Sequence, residues 1–151
     1  MNGDARLRAA YGAVPVPTFE NTARAQPPLL GDATVALVTT AGLHLPGTQD
    51  AWGVEDASYR RLPSDRRDLQ LAHHSANWDR ASLAADLNVV YPVDRLDEFA
   101  TEGLIGAVSP FHISFMGGLH EALTTIRLDT GIAAAHELLD AEVDIVLLTP
   151  V

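Results

Sequence analysis

"ATVALVTTAG" (33–42) is the stretch whose reading decides the fold. It is a short, β-rich apolar run stopped by Gly42, the pattern of a strand buried on both faces and not of a half-exposed hairpin strand. "VDIVLLTPV" (143–151) has the same character. "LIGAVSPFHISFMGG" (104–118) opens as a third such strand, is interrupted by Pro110 and ends in a glycine pair.

Helical patterns lie between these runs. "VDRLDEFATEG" (93–103) places Leu96, Phe99 and Ala100 on one face, with Asp94 as N-cap and Gly103 as the C-terminal stop. "LHEALTTIRL" (119–128) and "IAAAHELLDAE" (132–142) continue as helix around a break or kink at Gly131, with Ile132, Ala135 and Leu139 on one stripe. Apolar strands alternating with helices indicate a parallel sheet covered on both faces. The predicted fold is a three-layer Rossmann-like or flavodoxin-like α/β domain with a mainly parallel sheet.

Outside that frame, residues 1–32 carry Pro15, Pro17, Pro27 and Pro28 and read as an irregular N-terminal arm, with a short helix near Asp4 to Tyr11. The α/β domain proper is expected over 33–151. Residues 43–68 are rich in glycine, proline and aspartate and predict a long loop with a short extended piece near "SYRRLP". A loop of that length in a compact domain is commonly functional or poorly ordered. "LQLAHH" (69–74) adds a candidate strand, and "DRASLAADLNVV" (79–90) is weakly helical or irregular before Pro92.

The 151 residues suit one domain with a sizeable core. Twenty acidic residues against ten basic ones, all arginine, give a formal charge of −10. Such a field repels phosphate backbones, which argues against nucleic acid and anionic membranes as partners and for a small molecule or another protein. The absence of cysteine removes disulfides, thiolate metal sites and a thiol nucleophile from these residues. The N-terminus lacks the apolar core of a signal peptide, and no apolar run reaches the roughly 20 residues of a membrane span, so a cytoplasmic location is expected.

Six histidines are the first candidates for chemistry. His44 follows the first strand, His73 and His74 end a candidate second one, and His112 follows "GAVSP", so four of them could meet at one sheet edge and bind Zn²⁺ or move protons. Their spacing matches no HExxH pattern, and no metal is assigned. Structural or exposed histidines remain the competing reading, above all for His120 and His136 on helices. "YRRLPSDRRD" (59–68) gathers Arg60, Arg61, Arg66 and Arg67. Guanidinium forks suit a carboxylate ligand, whereas pairing with Asp65 and Asp68 on a solvated face is the more common outcome. Asp56 and Tyr59 could anchor the loop. Gly117 and Gly118 precede a helix without a phosphate-binding pattern, and Ser109 and Ser114 lack a GxSxG setting.

Taken together, "VALVTTAGLHLPG" (35–47), "DASYRRLP" (56–63), "LAHHSANWD" (71–79), "DLNVVYPVDRLDEFATEGLIGAVSPFHISFMGG" (86–118) and "VDIVLLTPV" (143–151) resemble the selenoprotein B subunits of the glycine, sarcosine, betaine and D-proline reductases. The resemblance implies a cytoplasmic reductase that cleaves a carbon–nitrogen or related bond with a redox-active selenocysteine or cysteine. It also implies a small amine or amino-acid substrate and, in place of any cofactor within this chain, a pyruvoyl group on a partner subunit. A selenol is ionised at neutral pH, while a thiol near pKa 8.5 is mostly protonated, which suits selenium to the nucleophile's role.

In proline-reductase-type members the redox residue resembles the first position after an "LLTPV" segment. Selenocysteine is encoded by UGA, which ordinary gene reading takes as a stop, so the resemblance predicts a chain cut just before its own nucleophile and a domain incomplete at its C-terminus. His44, Ser109 and His112 are then expected around the nucleophile as proton donors or substrate contacts. Thr40, Gly42, Tyr59, Arg60, His73 and His74 are expected to bind substrate. The competing reading, from a different functional class, is a non-catalytic α/β binding or regulatory module that has lost the redox residue.

Overall fold

The computed structural model describes residues 3–13, 18, 25–74, 81, 85–118 and 123–151. Helix α1 (Gly3–Gly12) opens the chain, as the short-helix expectation holds. The domain is organised around β1 (Thr34–Thr39). Along it Val35 and Leu37 point into one apolar cluster and Ala36 into another on the opposite face, the alternation that a pleated strand imposes.

Beside β1 run β5 (Ala107–Val108) and β6 (Phe111–Phe115), both parallel to it, and β7 (Ile145–Thr149), parallel along its whole length. Val35 pairs with both Val108 and Ile145, and Val38 with both Ile113 and Leu148. A strand has only two edges, so β5 and β6 share one as two halves of an interrupted strand, and β7 takes the other. β3 (Tyr59–Pro63) adds antiparallel to β6. The order across the sheet is therefore β3, β5 with β6, β1, β7. β2 (Leu43–His44) and β4 (Gln70–Leu71) form a small antiparallel pair apart from it.

Helix α2 (Val93–Thr101) covers one face, where Val93 and Leu96 join Val35, Leu37, Leu62 and Tyr91. The opposite face is covered by a helical segment described over Leu123–Thr125, a π-helical turn (Ile126–Thr130) and α3 (Gly131–Asp140), residues 119–122 of the expected helix lying outside the described residues. Ala134 and Leu138 of α3 pack on Ala36, Phe111, Ile113 and Phe115. The result is the expected three-layer α/β arrangement with a mainly parallel sheet.

Several local expectations are corrected. Asp94 does not cap α2: Pro92 occupies the cap, and the Asp94 carboxylate instead accepts from Asn88 and Arg67 at 2.8 and 2.7 Å. Phe99, assigned to the buried face, is 42% exposed. Gly103 does lie just past the helix with φ +72°, a conformation that favours glycine. At Gly131 the helix does not break, but the α-helical pattern is interrupted there by the π turn. The Gly131 N–H bonds to the Ile126 carbonyl to close the π turn, and a Cβ there would lie 2.5 Å from that oxygen. On α3 the buried stripe is Ala134 and Leu138, while Ile132, Ala135 and Leu139 face outward. The largest correction concerns β7, which read as a buried strand: among the described residues it lies at the sheet edge, paired with β1 only, with Val146, Leu147 and Leu148 exposed.

Candidate active site at the carboxyl edge of the sheet

In open α/β sheets ligands gather beyond the carboxyl ends of the strands. Here β1, β6 and β7 end together, and the polar residues closing β1 and β7 bind those two ends to each other. Thr39 Oγ1 donates to the Thr149 carbonyl at 3.2 Å and accepts from Ala41 N–H at 3.2 Å. Thr40 N–H donates to the same carbonyl at 3.3 Å. Thr149 Oγ1 in turn donates to the Val90 carbonyl at 2.9 Å, tying β7 to the segment before α2. The Thr40 hydroxyl accepts from Val151 N–H at 2.8 Å and lies 3.4 Å from the Val151 carbonyl oxygen.

Gly117, just past β6, is the crowded centre of this edge. A Cβ on it would lie 2.7 Å from His73 Nε2, 2.7 Å from the Thr40 carbonyl and 2.9 Å from the Val151 carbonyl. Only a residue without a side chain lets these groups converge. Gly42 has φ +67° and stands against the Met116 thioether, donating to the Phe115 carbonyl at 2.9 Å and accepting from Ala72 N–H at 3.0 Å. That last bond brings the His73 segment to the site, where the imidazole is buried. Thr40, Gly42 and His73, three of the expected substrate-binding residues, are thus brought together with Val151.

The other candidates lie elsewhere. His44 is buried on β2, and its Nδ1 has no hydrogen-bond partner among the described residues. His74 is exposed, with Nε2 3.2 Å from the Trp52 carbonyl. Ser109 sits in the β5–β6 interruption and donates to the Phe111 carbonyl at 2.7 Å. His112 is fully buried inside the sheet layer, edge-on to Tyr91, and its Nδ1 accepts from the Leu37 N–H at 3.0 Å. The imidazole takes a β1 amide next to the point where Pro110 breaks the neighbouring strand. Burial drives its pKa down to about 4, with the Arg67 charge adding in the same direction. Nδ1 can accept only from the neutral ring, so the proton sits on Nε2.

The arginines are paired within the chain. Arg66 bonds Asp68, and Arg67 bridges Asp94 and Asp97 at 2.7 Å each. Arg60 reaches Asp56 at 3.2 Å and Ser58 at 2.5 Å, lies over the Trp52 ring at 4.3 Å and borders an open polar hollow with Thr48 and Asp50. Tyr59 donates to Glu137 Oε1 at 2.5 Å, while Arg61 holds Oε2 at 3.2 Å, so this carboxylate joins β3 to α3. The hydrogen bond to Glu137, burial and the nearby charge raise the Tyr59 pKa to about 12.

Among the described residues no three histidine, aspartate or glutamate side chains form a metal-binding group. His120 lies outside the described residues, and His136 is exposed on α3. Also among the described residues, no helix is long and apolar enough to cross a membrane. Sequence reasoning missed Thr39 and Glu137, and it weighed Gly117 only as a glycine before a helix. Polar residues closing an apolar run could have flagged Thr39, but Gly117 and Glu137 matter only through partners distant in the chain.

Residues 9–151 match the family model described as glycine/sarcosine/betaine reductase selenoprotein B. A curated relative, D-proline reductase subunit gamma of Acetoanaerobium sticklandii, is 36% identical over 122 residues, which are 80% of this chain and 49% of the relative. The chain therefore spans about half the length of the curated relative it matches. No solved structure matches.

Proposed function

The chain belongs to the glycine/sarcosine/betaine reductase selenoprotein B family, and on that premise we propose that it is the N-terminal portion of a selenocysteine- or cysteine-dependent reductase. Its reaction is the reductive cleavage of a carbon–nitrogen bond in a small amine or amino acid, in the cytoplasm. The nucleophile belongs at the position after Val151. Alone, residues 1–151 are inactive in this reading.

The observation that carries the reading is the Thr40 hydroxyl against the Val151 backbone. It fixes the exit of β7 at the carboxyl edge of the sheet, where chemistry on this class of fold is supported. Nucleophile placement by rigid strand ends is worth more than placement by a free tail, because orientation is settled before substrate arrives. Thr40 and Gly42 shape that edge, and His73 Nε2 crowds the same side of Gly117 as the Val151 carbonyl, which brings an imidazole, a group suited to proton transfer, to the exit of β7. His44, Ser109 and His112 are retained as residues to test. Substituting His44 or His112 in the full-length protein is expected to reduce turnover, and wild-type rates in both variants would reject that role.

A partner subunit bearing a pyruvoyl group would hold the substrate amine. The relative's description as a subunit of D-proline reductase supports an assembly of several chains. The experiment that tests the reading is the nucleotide sequence after the Val151 codon. UGA, followed by an open frame encoding a short spacer, a cysteine and a further βα unit, is expected. UAA or UAG, or no open frame, would sink it.

A further inference from the structure

We infer that the free edge of β7 takes a further parallel strand, its connecting helix laid beside α3, both from polypeptide that continues beyond Val151. The inference rests on the N-terminal-portion reading above and adds where the remainder docks.

β7 has the composition of a central strand and the position of an edge strand. Its register with β1 turns Val146 and Leu148 to the face of Ala36 and Val38, and Leu147 to the opposite face with Leu37. These residues are 40%, 67% and 42% exposed. Among the described residues no strand pairs with the far edge of β7. Parallel strands are normally covered on both faces, and exposed edges are normally blunted by charge, proline or bulges. From Ile145 to Leu148 there is none of these. At the opposite edge of the sheet, β3 carries Arg60 and Arg61 and ends in Pro63.

Two observations select the continuing polypeptide as occupant. The match covers 49% of the curated relative, so a chain of that length has residues enough for further βα units. The second is directional. From β6 to β7 the chain steps across β1, and the connection carries α3 on the Ala36 face. A further step the same way, with the same crossover hand, puts the next helix on that same face. Val146 and Leu148 point there, and in the α3 layer Ile132 and Leu139 remain 49% and 66% exposed. The apolar residues left over are those that such a helix would cover.

Amide hydrogen exchange on two proteins tests this: the 151-residue chain, and the longer chain expressed with a cysteine codon replacing UGA. The β7 amides directed away from β1 should exchange fast in the short chain and about two orders of magnitude more slowly in the long one. Leu148→Asp should leave the melting temperature of the short chain unchanged and lower that of the long chain. An open frame with equally fast β7 exchange in both proteins would overturn the docking while leaving the reductase reading in place. A UAA or UAG codon would remove that reading and the inference with it. Protection of β7 in a short-chain dimer would assign the edge to a second copy and overturn the inference as well.

Discussion

The Thr40 side chain holds the Val151 backbone, accepting its N–H at 2.8 Å, although 111 residues separate the two. "TTAG" and "LLTPV", the closing segments of two apolar runs, therefore meet in space. Thr40→Val keeps the shape and removes the acceptor. A neutral hydrogen bond of this kind contributes about 0.5–1.5 kcal/mol, and denaturant melts should show a loss in that range. In the full-length protein, turnover should fall by a larger factor than stability alone explains, with Thr40→Ser restoring most of it. Equal turnover for Thr40→Val and wild type would remove the positioning role.

Gly117→Ala places a methyl group 2.7 Å from both His73 Nε2 and the Thr40 carbonyl. Two of the three crowding atoms are backbone oxygens, which cannot swing aside as a side-chain tip can. Overpacking of this sort costs about 1–3 kcal/mol, and the His73 ring resonances should shift with it. Gly118→Ala is the control for space, since its nearest neighbour is the His73 ring carbon at 3.9 Å, though its φ of +71° carries a backbone cost of its own. A Gly117→Ala protein with unchanged melting temperature and unchanged His73 resonances would show that the edge is looser than described.

His112 gives a pH dependence of defined sign. Its pKa is depressed from 6.5 to about 4 in the fold, so between those values the unfolded chain binds the proton and the native state does not. The contribution to stability is full above pH 6.5 and is lost as pH falls towards 4. The integrated effect is on the order of 3 kcal/mol. His112→Gln offers an amide oxygen to Leu37 N–H without the titration. Urea melts across pH 4–7 should show a shallower acid slope for the variant than for wild type; identical slopes would contradict a neutral, buried His112.

The central strand, the helix after Pro92 and the parallel class were legible because apolar periodicity and a glycine stop such as Gly103 are local signals. β7 was legible as a strand but not as an edge, since an apolar run records a capacity for burial and says nothing of which neighbours supply it. The α3 helix failed for a related reason. It carries two adjacent apolar stripes, Ala134 with Leu138 and Ile132 with Leu139, and only the sheet's position selects between them. Thr40, Gly42 and His73 were visible as strand-end and post-strand residues. The interior position of His112 was not, because it follows from Pro110 breaking the strand beside β1. Glu137 looked like one acidic residue among twenty, and its value lies in facing Tyr59 and Arg61 at once.

Glu137 therefore offers a test of the α3-to-β3 contact. Its carboxylate takes the Tyr59 hydroxyl at 2.5 Å and the Arg61 guanidinium at 3.2 Å, and Arg61 lies 3.9 Å over the Phe111 ring. The Tyr59 pKa is raised to about 12 chiefly because ionisation would destroy a hydrogen bond to a carboxylate. Glu137→Gln keeps an acceptor and removes the charge, so the Tyr59 ionisation should move down towards 10 in an ultraviolet titration, with a modest loss of stability. Glu137→Leu removes both, leaving Arg61 without its carboxylate and Tyr59 Oη without its acceptor. It should cost more, about 1–3 kcal/mol if Tyr59 Oη stays sequestered from water. Tyr59→Phe in the Glu137→Leu background should then recover part of that loss, because it removes the hydroxyl left without an acceptor; a further loss would place the contribution of Tyr59 elsewhere.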